Sequence, residues 1–271
     1  MSVSDTPYVA FSFRRIGAMV LRYWYLLRSS WARLIDLVYW PAVQLLTWGF
    51  LQNYVDQNAG FFVKAGGVFI GAVLLWDILF RGQIGFSLSF LEEMRARNMG
   101  NLMISPMRPV EFLDALMVMS IIRMLIGVVP VTQMATAFFE NNHYEMGFGL
   151  AAFFINLMLT SWSVGIVVSG LVLRNGLGAE SFAWGLMFAL MPLASVYYPV
   201  SVLPGWLQPV AWMLPPTYVF EGMRALLMQH TFRGDLMAAA FALNLVYFAA
   251  ASLAFMALLN GARRQGSLLQ S

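Results

Sequence analysis

The chain has 271 residues, 60% hydrophobic and 11% charged, with a formal net charge of +3 and a mean hydropathy of +0.71. Soluble domains run near ~45–50% apolar and ~25% charged; one core of this size cannot hide the surplus, so the solvent is lipid and the class a multi-span membrane protein. There is no cysteine, which excludes a disulfide, a thiolate nucleophile and a thiolate-ligated metal.

The N-terminus lacks an early apolar run ending in a small-residue cleavage site, so no cleavable signal is expected. Over 8–33, Phe13, Ile16, Val20, Tyr23, Trp24, Leu27 and Trp31 recur at three- and four-residue steps, while Arg14, Arg15, Arg22, Arg28 and Arg33 cluster on the other side. That pattern predicts an amphipathic helix lying in the membrane interface, its arginines toward anionic headgroups. It reads equally as a flanking anchor or as a mechanical part.

Runs of about twenty residues with few charges then predict six spans, at 34–54, 61–90, 110–139, 147–173, 181–200 and 236–260. With the N-terminus inside, twelve of the 16 basic residues fall on cytoplasmic segments. Lys64, Arg224 and Arg233 fall outside, and Arg123 lies within a span. The bias predicts both termini on the cytoplasmic side.

Between spans two and three, residues 91–109 read LEEMRARNMGNLMISPMRP, a polar interruption placed in the cytoplasm by the arginine count. Phe90, Leu91, Met94, Met99, Leu102 and Ile104 supply apolar contacts, while Glu92, Glu93, Arg95 and Arg97 supply charge. A short helix offering methionine and charge together suits docking into another protein's groove. A solvated loop is the bland alternative, and it leaves the retained apolar residues unexplained.

Six of the 11 prolines lie between Pro192 and Pro216, in an apolar text that includes YYPVSVLPGWLQPVAWMLPPTYVF. Such a stretch cannot form one long helix, and irregular backbone at membrane depth survives only when buried in protein or lining a wet cavity. The expectation over 201–232 is a re-entrant outer segment of short helices, set against a surface loop with amphipathic pieces. Tyr197, Tyr198, Trp206, Trp212 and Tyr218 gather there, either as an interfacial aromatic belt or as ring faces for an amphiphilic cargo.

Energy and chemistry have few possible homes. The one lysine, Lys64 in GFFVKAGG, does not complete a phosphate-binding Gly-x-x-x-x-Gly-Lys-Ser/Thr loop, so ATP is not bound that way. Among buried ionisable groups Asp77 and Arg123 are the serious candidates, with Arg81 four residues from Asp77 on the same helix and Asp36 near an inner boundary. They read as a charge pair holding spans together or as a guide for an anionic cargo group. His143 and His230 lack a second ligand at metal spacing, and no nucleophile-elbow motif is present. No metal, no catalytic group and no nucleic-acid partner are expected.

Two stretches together, EEMRARNMGNLMISPMRPVEFL and YYPVSVLPGWLQPVAWMLPPTYVFEGMRALL, resemble the membrane subunit of type-2 ABC exporters, and the resemblance extends over essentially the whole chain. It implies an all-α membrane protein with a flat N-terminal helix, six spans and a re-entrant segment between spans five and six. It also implies a bacterial inner-membrane permease that pairs with a second permease copy in a homodimer. Two copies of a separate ABC ATPase, which holds the ATP and Mg, would energise the pair. On this resemblance Glu92, Glu93, Met94, Arg95, Arg97, Met99 and Leu102 form the ATPase-coupling segment. Tyr198, Pro199, Pro204, Trp206, Tyr218, Glu221 and Arg224 form the outer re-entrant gate. The implied cargo is amphiphilic: a lipid-linked glycan, a lipid or a drug-like molecule. A stand-alone ion-coupled carrier and a non-transporting membrane scaffold are the rival readings.

Overall fold

A computed structural model describes residues 10–58, 66–139 and 147–265; Lys64 and His143 lie outside them. All regular structure among the described residues is helical. In chain order the helices are α1 (Phe13–Arg28), α2 (Trp31–Asn58), α3 (Gly66–Arg95), α4 (Met99–Ile104), α5 (Pro109–Phe139), α6 (Gly147–Asn175), α7 (Ser181–Leu193), α8 (Gln208–Trp212), α9 (Pro215–Gln229) and α10 (Gly234–Gln265). Five of them, α2, α3, α5, α6 and α10, contain stretches long and apolar enough to cross a membrane.

The sixth expected span differs. Within 181–200 only Ser181–Leu193 is helical, 13 residues entered through a 3-10 turn at Leu177–Glu180. At 1.5 Å per residue that helix covers about 20 Å, short of the ~30 Å hydrocarbon core. Pro192 sits in its last turn, and the chain then leaves the helix at Ala194 and at Ser195, whose φ is 52°. Pro192 has no N–H for the Phe188 carbonyl, which weakens this last turn, and the left-handed residue turns the chain aside.

The first element is also tighter than its pattern implies. Helix α1 ends at Arg28, where Ser29 Oγ donates to the Leu26 carbonyl at 2.8 Å. It buries Ile16, Met19, Tyr23 and Leu27 against the protein, while Phe13 and Trp31, the ends of the expected stripe, are 80% and 75% exposed.

Helix α3 is the hub. In its span 72% of residues are buried, against 17% in α2 and 22% in α10, so α3 lies inside and the other two form the flanks. Close approach depends on small residues, as expected where packing rather than water drives helix association. A Cβ on Gly82 would lie 2.5 Å from Ser161 Oγ, and one on Gly127 would lie 2.6 Å from the Leu37 carbonyl oxygen. Near the start of α3, Gly71 abuts Leu227 and Met223 of α9; past its other end comes α4. The proline-rich segment and α4 therefore sit at opposite ends of the bundle.

Candidate functional site

At the α4 end, helix α3 runs on to Arg95 without a break, so Glu92, Glu93, Met94 and Arg95 form its last turn rather than a separate helix. The helix closes with the Arg97 amide donating to Met94 at 3.1 Å and the Asn98 amide to Glu93 at 3.0 Å. Arg97 occupies the left-handed position, with φ 50°, where glycine is usual. After the six-residue α4, α5 starts with Pro109 at its first position, pre-set for a helix. Glu111 two residues on accepts the Arg108 amide at 3.0 Å, which caps a free backbone donor.

The apolar residues expected to meet a partner face the other way. Met94, Met99 and Leu102 are buried in a cluster with Ile16, Met19, Tyr23 and Leu27 of α1, Phe90 of α3 and Phe112 of α5. They seat the segment on its own chain. What remains outward is Arg95, Ala96, Arg97, Asn101 and Ile104; Ile104 is 85% exposed. Among the described side chains, the tip presents Arg95 and Arg97 beside Ile104.

The two glutamates also face inward, and arginines distant in sequence meet them. Glu93 is wholly buried, with Arg22 Nη1 of α1 at 3.0 Å and Asn98 Nδ2 donating at 2.7 Å. Glu92 receives Arg123 Nη2 of α5 on both oxygens, at 3.2 and 3.0 Å, and Arg33 Nη1 of α2 at 3.3 Å. Glu111 takes Arg15 Nε at 2.8 Å and the Ser12 amide at 2.8 Å, and that bond raises the Arg15 pKa above its ordinary value. Arg95 pairs with Glu180 of the turn before α7. Tyr23 lies buried beside Glu93; burial first, then that carboxylate, pushes its phenol pKa well up, so the ring stays neutral. Arg15 and Arg22 thus clasp the protein rather than serving headgroups alone. Nothing in the residue pattern pairs groups some 96 positions apart, although a Pro followed by Glu at the α5 start is a legible cap signal.

Arg123 goes to Glu92, and it is not paired with Asp77. Asp77 is 1% exposed on α3. Among the described residues neither of its carboxylate oxygens has a hydrogen-bond partner, nor does Arg81 Nε one turn on. Trp48 of α2 stacks on Tyr197 at 5.0 Å and on Phe69 at 6.5 Å.

At the opposite end the proline-rich stretch folds as a 3-10 turn at Val200–Val202, then α8 and α9, with Pro199 preceding the turn and prolines in the first positions of both helices. Polar contacts replace a ladder. Tyr198 OH donates to the Pro192 carbonyl at 2.7 Å, the Val200 amide to Glu221 Oε1 at 2.7 Å, and Thr217 Oγ1 to the Ala211 carbonyl at 2.6 Å. Buried Arg224 bridges Glu221 Oε1 at 3.0 Å and the Val196 carbonyl at 3.3 Å. Tyr218 packs edge-on against Trp212 at 4.9 Å. Of the residues expected at this end, Glu221 and Arg224 meet each other, while Tyr198 goes to Pro192 and Tyr218 to Trp212. Pro204 initiates the turn into α8 by accepting the Leu207 amide at 2.8 Å, and Trp206 projects outward, 76% exposed. His230 ends α9 in a left-handed conformation, exposed. Among the described residues no group of His, Asp and Glu side chains could hold a metal ion.

Long apolar helices, a helix-plus-turn tip at one end and a proline-built cap at the other define a multi-pass membrane protein. The model of the ABC-2 type transporter family matches residues 16–228, most of the chain, and the protein belongs to that family. It is the non-catalytic transmembrane subunit, and ABC-2 membrane subunits generally pair with separate ABC ATPases. No curated protein matches the chain.

Proposed function

We propose that this chain is the permease half of an ATP-driven exporter, moving an amphiphile out of the cytoplasm or inner leaflet. The observation that carries this is the α4 tip: an exposed basic rim with Ile104 at 85% exposure, held on a buried base of Met94, Met99 and Leu102. A tip so firmly seated and so little covered suits a groove on a partner ATPase, with Arg95, Arg97 and Ile104 as the docking residues. The permease works as a homodimer in the bacterial inner membrane, served by two ATPases that carry ATP and Mg. Both termini lie in the cytoplasm.

In this reading α7 and the segment to Val200 complete a sixth crossing in two pieces, and α8 and α9 dip in from the outer face as a gate. Support comes from the buried polar ties of Arg224, Glu221 and Thr217, which keep irregular backbone satisfied inside protein. Asp77, buried with no hydrogen-bond partner among the described residues, favours one second reading, an ion-coupled carrier; transport that persists without any ATPase would support it.

The test is co-purification from native membranes. Ile104→Asp combined with Arg97→Glu is expected to lose the ATPase while the permease itself stays folded, because neither side chain packs in the core. Full retention of the ATPase would contradict the docking reading.

A further inference from the structure

Adjacent residues on a helix point about 100° apart, and the last turn of α3 uses that divergence. Glu93 grips α1 through Arg22, while Glu92 reaches α5 and α2 through Arg123 and Arg33. Arg123 is 4% exposed and leaves α5 beside Gly85, where a Cβ would lie 3.5 Å from Arg123 Cβ. Gly85 and Glu92 are seven residues apart, so they share one face of α3, separated by about 10 Å along its axis. The guanidinium therefore extends along α3 to meet a carboxylate at the helix end. Arg33 also reaches the Leu26 carbonyl of α1 at 3.4 Å. One carboxylate, next to the docking tip yet turned away from it, ties α3 to two further membrane helices.

We propose that Glu92, with Arg123 and Arg33, is the transmission link of this permease: it conveys displacement of the α4 tip to α5 and α2 and takes no part in holding the ATPase. This rests on the export reading above and separates two roles within the coupling segment. Arg95, Arg97 and Ile104 dock; Glu92 transmits. A charge pair made across a packed interface is either formed or broken, so a push on the tip moves all three helices together or forces the pair to exchange partners. Glu92, Arg123 and Arg33 are positioning residues and do not touch cargo.

Absence of native cysteine allows a single reporter. Val202→Cys, at a position 66% exposed in the proline-rich segment, is placed in the permease, and the complex with its co-purifying ATPase is reconstituted in liposomes. Labelling by a membrane-impermeant maleimide is timed with and without ATP, Mg and vanadate. The parent complex is expected to change its labelling rate severalfold with nucleotide. Glu92→Gln and Arg123→Met are expected to abolish that change while retaining the ATPase in the purified complex, and Arg123→Lys to restore most of it. Arg33→Gln, at a rim position that leaves no buried charge stranded, is expected to reduce the response and serves if the core variants fail to fold. A full response in Glu92→Gln, or in Arg33→Gln where that variant stands in, would overturn the proposal. So would loss of the ATPase from the Glu92→Gln complex, which would make Glu92 a docking residue. A parent complex unresponsive to nucleotide would contradict the export reading itself, and the link with it.

Discussion

Gly127 and Gly82 show how individual residues set the helix spacing. A methyl group on Gly127 would meet the Leu37 carbonyl, a backbone atom that cannot rotate aside, whereas one on Gly82 would meet the movable Ser161 hydroxyl. Gly127→Ala should therefore destabilise by about 1–3 kcal/mol, and Gly82→Ala by less, measured as thermal unfolding of the purified permease in detergent. Equal losses would show that α2 can slide away from α5. At the same scale, Arg224 is buried between Glu221 and the Val196 carbonyl. Arg224→Ala leaves that carbonyl and a part-buried carboxylate without their partner, a change worth about 3 kcal/mol when a buried pair is broken. The predicted result is a matching loss of thermal stability and earlier proteolysis of the 194–214 segment; unchanged stability would remove Arg224 from any structural role.

Elements differed in how much of them the sequence displays. Hydrophobic length pointed to α2, α3, α5, α6 and α10, because a helix surrounded by lipid or by other apolar helices must be apolar along its whole course. The same measure overran α7, since the apolar run continues through Ser195 to Val200 while the backbone has already turned. Around the clustered prolines the chain forms α8 and α9 in place of one long helix, each with proline in its first two positions. For residues 91–105, composition grouped apolar and charged side chains without showing which way each one points. Met94, Met99 and Leu102 are as apolar as Ile104, and only packing against α1 decides that three are covered and one is bare. The left-handed Arg97 gave no glycine signal for the helix end. The arginine clasps escaped because periodicity reports a residue's face, and a partner on another helix has no fixed spacing.

Across the whole molecule, two ends with different chemistry are joined by one well-buried helix. α3 contacts α2, α5, α6, α7 and α9, touches α9 near its start through Gly71, and ends in the two glutamates. α2 and α10, less than a quarter buried over their spans, leave most of their surface uncovered by the rest of the chain. A displacement at the tip thus has a stiff route to the proline-built cap, which is what an ATPase-driven permease requires. The route is useful only if the tip lies in the cytoplasm, where ATP is.

That location is most directly measured by single-cysteine labelling in the cysteine-free chain, with Asn101→Cys at the tip and Val202→Cys at the other end. An impermeant maleimide applied to intact cells should label Val202→Cys and leave Asn101→Cys untouched, and inside-out vesicles stripped of peripheral proteins should reverse the pattern. Labelling of Asn101→Cys in intact cells would place the tip outside the cell and contradict the account.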